Sequence, residues 1–424
     1  MFSINKNVSQ LKPSATLLIN EAIKKLRNNG KHVYHFGFGQ SPFPISKQIV
    51  KELQKKATNN HYLPTAGLPK LRDEIAYFLI KHQNVQTSGE FVFIGPGSKE
   101  LLYQTILMLD GTYLIPKGSW VSYLPQVKAS NKRAVILETF FDNNFKLKPE
   151  ALKTYCTENT KTNKYLILNS PNNPSGAVYS KTELKELAQV CRKYNVIVLS
   201  DEIYSQVCFD TKYAPSMSNY YPENTIVYGG LSKVFSAGGY RLGYMVLPKN
   251  LHSLQTNFQS LFSETFSAVS APIQHAAVVA YKYDEKVKKH VEASVDILNL
   301  IGNYVYSQLT NAGIECTKPQ GGFYVLIGFN SFTKKLKAMG LATNTDLSNY
   351  LLANFSVALL PGVDFYFSSE SYFFRLAYVD FNGKKALKAY AKNDVSLNTN
   401  FVETYAPNVV IGVQKITKFV SLLK

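Results

Sequence analysis

Residues 229–244 have the sequence GGLSKVFSAGGYRLGY, and they place one lysine, Lys233, in a loop rich in glycine and serine. The loop directly follows residues 225–228 (TIVY), a run typical of a β-strand. Arg241 lies eight residues after Lys233. A lysine amine can form a Schiff base with an aldehyde cofactor, and an arginine fork can hold the phosphate of such a cofactor. The stretch alone is equally compatible with a surface loop that carries an ordinary lysine. Other parts of the chain are needed to distinguish a cofactor-binding loop from such a surface loop.

The length and composition of the chain are those of a folded protein with two domains. It has 424 residues, of which 45% are hydrophobic and 13% aromatic, enough for two substantial cores. No apolar run is long enough to span a membrane, and the N-terminus lacks the apolar core of a secretory signal. The four cysteines show no CxxC spacing and no disulfide framework, so we expect a reducing, cytoplasmic setting.

The net charge of +18 is compatible with nucleic acid, a membrane surface or small acidic molecules as partners. The basic residues are dispersed, however, and no block of five or more occurs. We therefore expect neither nucleic acid nor a membrane as a partner. We predict small-molecule partners and no metal site.

Arginine is rare in this chain, since only six of the 47 basic residues are arginines. Where lysine is the default cation, an arginine tends to occupy a position that needs planar, bidentate geometry. Arg241 lies in the lysine loop, and Arg375 lies within the apolar, strand-like residues 372–378 (YFFRLAY). A charge in such a run needs an anionic partner.

Residues 90–250 alternate short apolar runs with helical patterns, which predicts an α/β domain whose mostly parallel central sheet lies between helices. A helix is expected to begin at Ser98, where apolar residues recur at helical spacing. Ligands of such sheets bind beyond the carboxyl ends of the strands. The predicted strands are residues 91–94, 113–115, 165–168, 196–199, 226–228 and 244–247.

The pattern changes near residue 285 and predicts a smaller α+β domain. We expect a long helix over residues 284–311, a strand over residues 373–377 and a C-terminal helix over residues 409–423. The predicted organisation is an N-terminal segment (1–40) that partly joins the small domain, a large cofactor-binding domain (41–285) and a small C-terminal domain (286–424). Residues 384–408 are polar and irregular, and no element is assigned to them.

Three polar residues that follow the predicted strands are candidates for binding an aromatic cofactor ring. Asp201 directly follows the mostly apolar run of residues 196–200. A carboxylate in a dry cleft can pair with a pyridinium nitrogen. The alternative is a helix N-cap, which is common for Asp at such a junction. Tyr204 could donate to a phenolic ring oxygen or simply pack in the core. Asn173 lies in a tight loop between two prolines, which suits an amide aimed at a ligand, although turn chemistry alone explains the composition.

The residues Gly97, Ser98 and Lys99 open the predicted helix. The free N–H groups and the dipole at a helix N-terminus favour a phosphate. A plain helix start with a serine cap is an equally good explanation.

These motifs, in this order, resemble the fold-type-I pyridoxal-phosphate aminotransferases, and they are most similar to the branch of aspartate and related amino-acid aminotransferases. The resemblance extends from about residue 12 to the C-terminus. The motifs that carry it are residues 173–176 (NPSG), 201–204 (DEIY), 232–233 (SK) and 241–243 (RLG).

The resemblance implies a role for each candidate in binding pyridoxal 5'-phosphate and the substrate. Lys233 would hold the cofactor as an aldimine, Asp201 would bind the ring nitrogen, and Asn173 and Tyr204 would contact the ring hydroxyl. The phosphate would be held by Gly97, Ser98 and Arg241, with Lys99 and Ser232 nearby. The remaining implied contacts are Trp120 stacked on the ring, Arg375 and Gly39 at the substrate carboxylate, and Tyr62 at the phosphate of the neighbouring subunit of a homodimer.

The chain also departs from the family pattern. Ser175 replaces a frequent threonine, residues 237–241 (AGGYR) replace Met-Thr-Gly-Trp-Arg, and Gly230 and Leu231 stand where a serine or threonine is frequent. One phosphate-binding hydroxyl is therefore expected to be missing, and the departures indicate a distinct subfamily.

The expected activity is a ping-pong transamination between an L-amino acid and a 2-oxo acid. The alternatives are a lyase or synthase on the same fold, either carbon–sulfur cleaving or cyclopropane-forming, and a non-enzymatic effector-binding module. Lys99 favours aspartate or glutamate as a substrate, because a cation at a helix N-terminus opposes the dipole and suggests another use. A solvated surface lysine is the alternative explanation.

Overall fold

The computed structural model describes residues 3–13, 15–392 and 397–424. Within these ranges the helices are α1 (Lys6–Ser9), α2 (Ala15–Asn28), α3 (Lys47–Lys56), α4 (Pro69–Gln83), α5 (Ser98–Met108), α6 (Tyr123–Ala129), α7 (Pro149–Glu158), α8 (Lys181–Lys193), α9 (Gln255–Ser263), α10 (Ala271–Lys282), α11 (Glu285–Asn311), α12 (Thr333–Ala338), α13 (Asn344–Phe355), α14 (Gly383–Tyr390), α15 (Thr399–Tyr405) and α16 (Pro407–Ser421).

The strands are β1 (Tyr34–His35), β2 (Val92–Gly95), β3 (Thr112–Pro116), β4 (Arg133–Leu137), β5 (Lys164–Asn169), β6 (Ile197–Asp201), β7 (Thr225–Gly230), β8 (Gly243–Val246), β9 (Glu315–Cys316), β10 (Tyr324–Gly328), β11 (Val357–Ala358), β12 (Leu360–Pro361) and β13 (Phe373–Ala377).

A seven-stranded sheet with the strand order β2-β8-β7-β6-β5-β3-β4 forms the centre of the larger part of the molecule. Five neighbouring strands, from β7 to β4, run parallel, and β8 alone is antiparallel to both of its neighbours. Every residue of β2, β3, β5 and β7 is buried, as expected for strands covered on both faces. The predicted mostly parallel sheet is confirmed.

The reversal of β8 has a local cause. A parallel connection needs a crossover of a dozen or more residues, usually a helix. The connection from β7 to β8, residues 231–242, contains a single turn of 3₁₀-helix, Gly238–Tyr240, and no α-helix, so it lacks the usual crossover helix and the chain returns beside β7 in the opposite direction. This returning loop carries Lys233 and Arg241 at the carboxyl end of β7.

A four-stranded antiparallel sheet with the order β12-β13-β10-β9 belongs to the C-terminal part. Arg375 lies in its central strand β13, where it pairs with Leu360 on one side and Leu326 on the other. The strand predicted at residues 373–377 is therefore present and buried.

The N-terminal segment joins this C-terminal part through a small parallel pair. Tyr34 and His35 of β1 pair with Val357 and Ala358 of β11. The segment then continues to Gly39 at the cavity described below.

The two long helices predicted in the C-terminal part are present, at α11 and α16. Asp284 caps α11 by accepting from the backbone N–H groups of Lys286 and Val287. The unassigned residues 384–408 contain the helices α14 and α15, whereas residues 393–396 lie outside the described ranges. Among the described residues, no helix combines the length and apolarity that a membrane crossing requires.

Candidate active site

A cavity of about 530 Å³ opens at the carboxyl edge of the central sheet, a size typical of small-molecule sites. Tyr62 is the one candidate that does not line it, and its side chain is 95% exposed. The other candidates line the cavity together: Gly39, Gly97, Ser98, Lys99, Trp120, Asn173, Asp201, Tyr204, Ser232, Lys233, Arg241 and Arg375.

The amine of Lys233 lies inside this cavity and donates to the carbonyl oxygen of Gly39 over 2.8 Å. Burial of the ammonium and the nearby positive charge of Arg375 together lower the pKa of Lys233 to about 8, although Asp201 opposes the shift. The neutral, nucleophilic amine is therefore far more populated near neutral pH than it is in an ordinary lysine.

Asp201 is the last residue of β6 and is 7% exposed. Its Oδ2 accepts from the hydroxyl of Tyr123 over 2.7 Å, and its Oδ1 accepts from the backbone N–H of Ile203 over 3.3 Å. Burial raises the pKa of Asp201, while these hydrogen bonds and the charge of Lys233 favour the ionised form. The helix-cap alternative is wrong, because the chain turns at residues 203–206 and starts no helix there.

Asn169 ends the neighbouring strand β5, opposite Asp201 in register, and the sequence analysis missed it. Its side-chain nitrogen donates to the carbonyl of Asp201 over 2.8 Å, and its side-chain oxygen accepts from the backbone N–H of Asn173 over 2.8 Å. Asn169 thus ties the aspartate strand to the Asn173 loop. The sequence signal that could have identified Asn169 as a site residue is its position at the end of a strand.

Two tyrosines that the sequence did not single out also shape the cavity. Tyr123 holds Asp201 and packs edge-to-face against Trp120, with ring centroids 5.3 Å apart. Tyr324 lies with its hydroxyl 2.9 Å from that of Tyr204. The chain has 28 tyrosines, and nothing in the local sequence distinguishes these two from those of the core.

Gly39 has to be a glycine because Tyr324 lies against it. A Cβ at position 39 would lie 2.0 Å from the Tyr324 hydroxyl. The carbonyl oxygen of Gly39 lies 3.3 Å from that hydroxyl and accepts from Lys233 over 2.8 Å. The missing side chain therefore allows the N-terminal segment to touch both groups.

Arg375 is 2% exposed, and its guanidinium makes only neutral hydrogen bonds. Nη1 donates to Oδ1 of Asn173 over 3.1 Å, and Nη2 donates to the carbonyl of Gly37 over 2.6 Å, while Nε has no partner among the described residues. Asp364 influences the charge electrostatically, but in the described part of the chain no carboxylate forms an ion pair with Arg375. The charge of Arg375 is therefore left without a direct ion-pair partner among the described residues.

The N-terminus of α5 forms one corner of the cavity. Gly97 is its N-cap, with φ +97°, and no side chain caps the helix, so the serine-cap alternative is wrong. Arg241 lies beside it and donates to the carbonyl oxygens of Gly238 and Pro96. A Cβ at Gly97 would lie 2.7 Å from Nη2 of Arg241, so the glycine leaves this corner open.

Lys99 and Trp120 form one wall of the cavity. The Nζ of Lys99 lies 5.2 Å from the centroid of the Trp120 ring, within the range of a cation–π contact. Trp120 is only partly buried, and its backbone carbonyl accepts from the hydroxyl of Tyr366 over 2.6 Å. The only tryptophan of the chain thus faces the cavity as well as the core.

Comparison with known proteins agrees with the resemblance found in the sequence. A family model described as aminotransferase class I and II matches residues 31–385. The aspartate aminotransferase of Geobacillus stearothermophilus is 34% identical over 370 residues, 85% of this chain and 91% of that protein. A probable aspartate/prephenate aminotransferase of Aquifex aeolicus is 31% identical over 382 residues, 88% of this chain and 93% of that protein.

Solved structures give the same fold. The aspartate aminotransferase of Thermus thermophilus with maleate superposes with a TM-score of 0.84, covering 99% of this chain and 100% of that one, at 24% sequence identity. At that identity the likeness shows the fold alone.

Proposed function

The chain belongs to the class I and II aminotransferases, a family that depends on pyridoxal phosphate, and we propose that it transfers an amino group between aspartate or glutamate and a 2-oxo acid. The observation that carries the proposal is the pairing, in one cavity, of a lysine with a lowered pKa and a buried arginine that has no ion-pair partner in the described part of the chain. The names of the relatives support the choice of an acidic amino acid.

The residues that line the cavity fit the cofactor. Lys233 offers an amine for the aldehyde, and Asp201 offers a buried carboxylate for the ring nitrogen. Gly97, Ser98 and Arg241 offer an open corner at a helix N-terminus for the phosphate. Trp120, Asn173 and Tyr204 also line the cavity and would contact the ring and its hydroxyl.

When bound, pyridoxal phosphate supplies an aldehyde that condenses with amines and a ring that withdraws electrons from the bound carbon. Burial raises the pKa of Asp201, while its hydrogen bonds from Tyr123 and Ile203 favour the charged carboxylate, which would favour a protonated ring nitrogen beside it. The Lys233 amine accepts the proton from the substrate Cα and holds it at Nζ until it is returned.

Arg375 binds the α-carboxylate of the amino acid, because its planar fork matches a carboxylate and no carboxylate of the described residues forms a direct ion pair with it. Gly39 lines the same cavity without a side chain, against Tyr324. Lys99, on the other wall, is placed to meet the carboxylate of an acidic side chain. One cavity can thus accept both the amino acid and the oxo acid, as a ping-pong reaction requires.

The central experiment is to load the purified protein with pyridoxal phosphate, reduce it with borohydride and map the modified peptide. The label should be on Lys233, and Lys233→Ala should lose it while Lys99→Ala keeps it. A panel of amino donors with 2-oxoglutarate or pyruvate then measures the reaction. A label on another lysine contradicts the assignment, and pyruvate with ammonia in the absence of an oxo acid identifies a lyase instead.

We propose further that the enzyme is a homodimer in which Tyr62 reaches the phosphate site of the neighbouring subunit. The 95% exposure of this large aromatic side chain, and its position outside the cavity of its own chain, support that role. Two sites at one symmetric interface suit a pair of identical subunits.

Subunit mixing tests this arrangement. Tyr62→Ala and Lys233→Ala proteins, each weakly active or inactive alone, should regain activity when unfolded and refolded together, because a hybrid dimer contains one site with both residues intact. An active monomer in ultracentrifugation, or a mixture without recovery, contradicts the proposal.

We also propose the domain bounds 41–285 and 286–424, with residues 1–40 partly joining the smaller domain. The larger sheet is built from residues 92–246 and the smaller one from residues 315–377, which supports the division. Limited proteolysis that cuts first near residue 285 is the expected result.

A cytoplasmic location is the remaining part of the proposal. All four cysteines lie in the described part of the chain, and each is buried as a free thiol, as suits a reducing compartment. Cell fractionation is the direct measurement.

A further inference from the structure

Three groups from distant parts of the chain meet around the hydroxyl of Tyr324, which is 1% exposed. This hydroxyl lies 2.9 Å from the Tyr204 hydroxyl and 3.3 Å from the carbonyl oxygen of Gly39. The ring below it stacks under the guanidinium of Arg375, 4.8 Å from the ring centroid. Tyr324 therefore contacts three groups. They are the Gly39 carbonyl oxygen that accepts from Lys233, the guanidinium of Arg375, and the hydroxyl of Tyr204, which is proposed to face the cofactor.

The protons in this network can be counted. Each tyrosine hydroxyl has one proton to donate, whereas a carbonyl oxygen only accepts. If Tyr324 donates to the carbonyl oxygen of Gly39, then Tyr204 has to be the donor in the hydrogen bond between the two tyrosines. If Tyr324 donates to Tyr204, the proton of Tyr204 is left for a third group.

The distances favour the second arrangement. Good O–H···O hydrogen bonds are about 2.7 to 2.8 Å long, so the 2.9 Å contact with Tyr204 is close to ideal and the 3.3 Å contact with Gly39 is long. The carbonyl oxygen of Gly39 already accepts a hydrogen bond from Lys233 over 2.8 Å, so it is satisfied without the Tyr324 proton. The hydroxyl of Tyr204 is thus left to donate into the cavity that it lines.

We propose that Tyr324 is a positioning residue for Tyr204: its hydroxyl donates to Tyr204 and thereby directs the Tyr204 proton toward the ring oxygen of the bound cofactor. This rests on the proposed function, in which Tyr204 contacts that oxygen. A donated hydrogen bond stabilises the anionic form of a phenolic oxygen, and a donor that is itself hydrogen-bonded is a stronger one.

A double-mutant cycle on the protein loaded with pyridoxal phosphate tests the proposal. The four proteins are the wild type, Tyr204→Phe, Tyr324→Phe and the double variant. The readouts are the pH midpoint of the cofactor's visible absorbance and the dissociation constant of the cofactor. Both substitutions keep the ring, so the stacking of Tyr324 on Arg375 is preserved while one hydroxyl is removed.

Tyr324→Phe should raise the pH midpoint by about 0.5 to 1 pH unit, the change expected for one ordinary hydrogen bond. In the Tyr204→Phe background the same substitution should change nothing, since the residue through which it acts is gone. An equal shift in both backgrounds, or no shift in the presence of Tyr204, overturns the proposal. A wild type without a visible cofactor band contradicts the proposed function instead.

Tyr378→Phe is the matched control. It also removes a buried hydroxyl next to the β10–β13 pair, but that hydroxyl has no hydrogen-bond partner among the described residues. Its titration should equal that of the wild type. If Tyr324→Phe does not fold, a fluorinated tyrosine at position 324 keeps the hydroxyl and makes it a stronger donor. The midpoint should then fall, and an unchanged or raised midpoint overturns the proposal.

Discussion

The hydroxyl of Tyr123 lies 2.7 Å from Oδ2 of Asp201, and both side chains are buried. The tyrosine sits at the first turn of α6 and the aspartate at the last residue of β6. The contact fixes the orientation of the carboxylate and favours its charged form, although burial on balance raises its pKa. An aspartate that is to bind a protonated ring nitrogen needs both properties.

Tyr123→Phe should therefore lower kcat more than it changes KM. A hydrogen bond to a charged group contributes about 1.5 to 3 kcal/mol, which predicts a loss of about 10- to 100-fold. Steady-state kinetics with aspartate and 2-oxoglutarate give the value. Tyr113→Phe, which removes a buried hydroxyl bonded to the Leu109 carbonyl, is the control and should retain wild-type kcat. Equal losses in both variants would make the effect one of packing.

Arg375→Lys should weaken amino-acid binding while leaving cofactor binding intact. A lysine keeps the charge but cannot reproduce a planar, bidentate contact with a carboxylate, and it cannot maintain both present bonds to Asn173 and Gly37 in the same geometry. We expect KM for the amino acid to rise by at least about tenfold, corresponding to one lost charged hydrogen bond. Unchanged KM would remove Arg375 from the substrate site.

The reactivity of Lys233 should depend on pH in an unusual range. Its pKa is lowered to about 8, chiefly by burial, so the neutral amine becomes the major form above that pH rather than near 10.5. Competitive acetylation of the cofactor-free protein, followed by mass spectrometry of the peptides, should show labelling of Lys233 with an inflection near pH 8. The surface lysines of the same digest provide the comparison. An inflection near 10 would refute the assignment of a lowered pKa.

Lys99→Ala should reduce kcat/KM for aspartate and leave that for phenylalanine unchanged. The lysine is exposed, so its contact with a substrate carboxylate is screened and contributes about 1 kcal/mol, a loss of about fivefold. Equal losses for both donors would mean that Lys99 supports the cavity wall through Trp120. A wild type that prefers apolar donors would remove the acidic substrate from the proposal.

Glu202 should make the protein less stable as the pH rises. Its Oε1 accepts from Ser200 and Ser216, while Oε2 is buried without a partner among the described residues. Burial raises the pKa of Glu202 from 4.5 to about 7, so the folded protein binds a proton that the unfolded chain has released between these two values. The contribution of Glu202 to the free energy of unfolding is about 3 kcal/mol. It is fully present below pH 4.5 and is lost as the pH rises to 7.

Glu202→Gln should flatten this dependence. Thermal unfolding midpoints measured from pH 4.5 to 8 should fall less steeply in the variant than in the wild type, and Glu186→Gln, at an exposed position, should follow the wild type. Parallel curves for Glu202→Gln and wild type would show that this carboxyl does not titrate in the native state.

The site residues that could be predicted are those whose chemistry is unusual for their surroundings. Lys233 lies in a glycine-rich loop after a strand, Asp201 ends an apolar run, and Arg375 interrupts another, so each is visible without a structure. The residues that hold them are different. Tyr123 and Tyr324 lie far along the chain from their partners, and their hydroxyls gain meaning only from three-dimensional contacts.

The fold shows the same division. The parallel strands and the long helices follow from apolar periodicity, whereas three features required the structure. Strand β4 was not predicted; it lies at the sheet edge, where Arg133 is exposed and the next three side chains are only partly buried. The reversal of β8 goes with a connection that contains no crossover helix. The helices α14 and α15 lie in a stretch whose polar composition resembles that of a loop.

The pairing of β1 with β11 has a consequence for the order in which a ribosome can complete this enzyme. Nη2 of Arg375 donates to the carbonyl of Gly37, a residue 338 positions earlier, and the backbone of Ala377 donates to Phe36. All strands of the central sheet have been synthesised once Val246 is added, but Gly39 cannot take its place until the chain has grown beyond Ala377. A nascent chain therefore completes the part proposed to bind the phosphate long before the part proposed to bind the amino acid. The N-terminal segment can take its final position only after the C-terminal part has been synthesised.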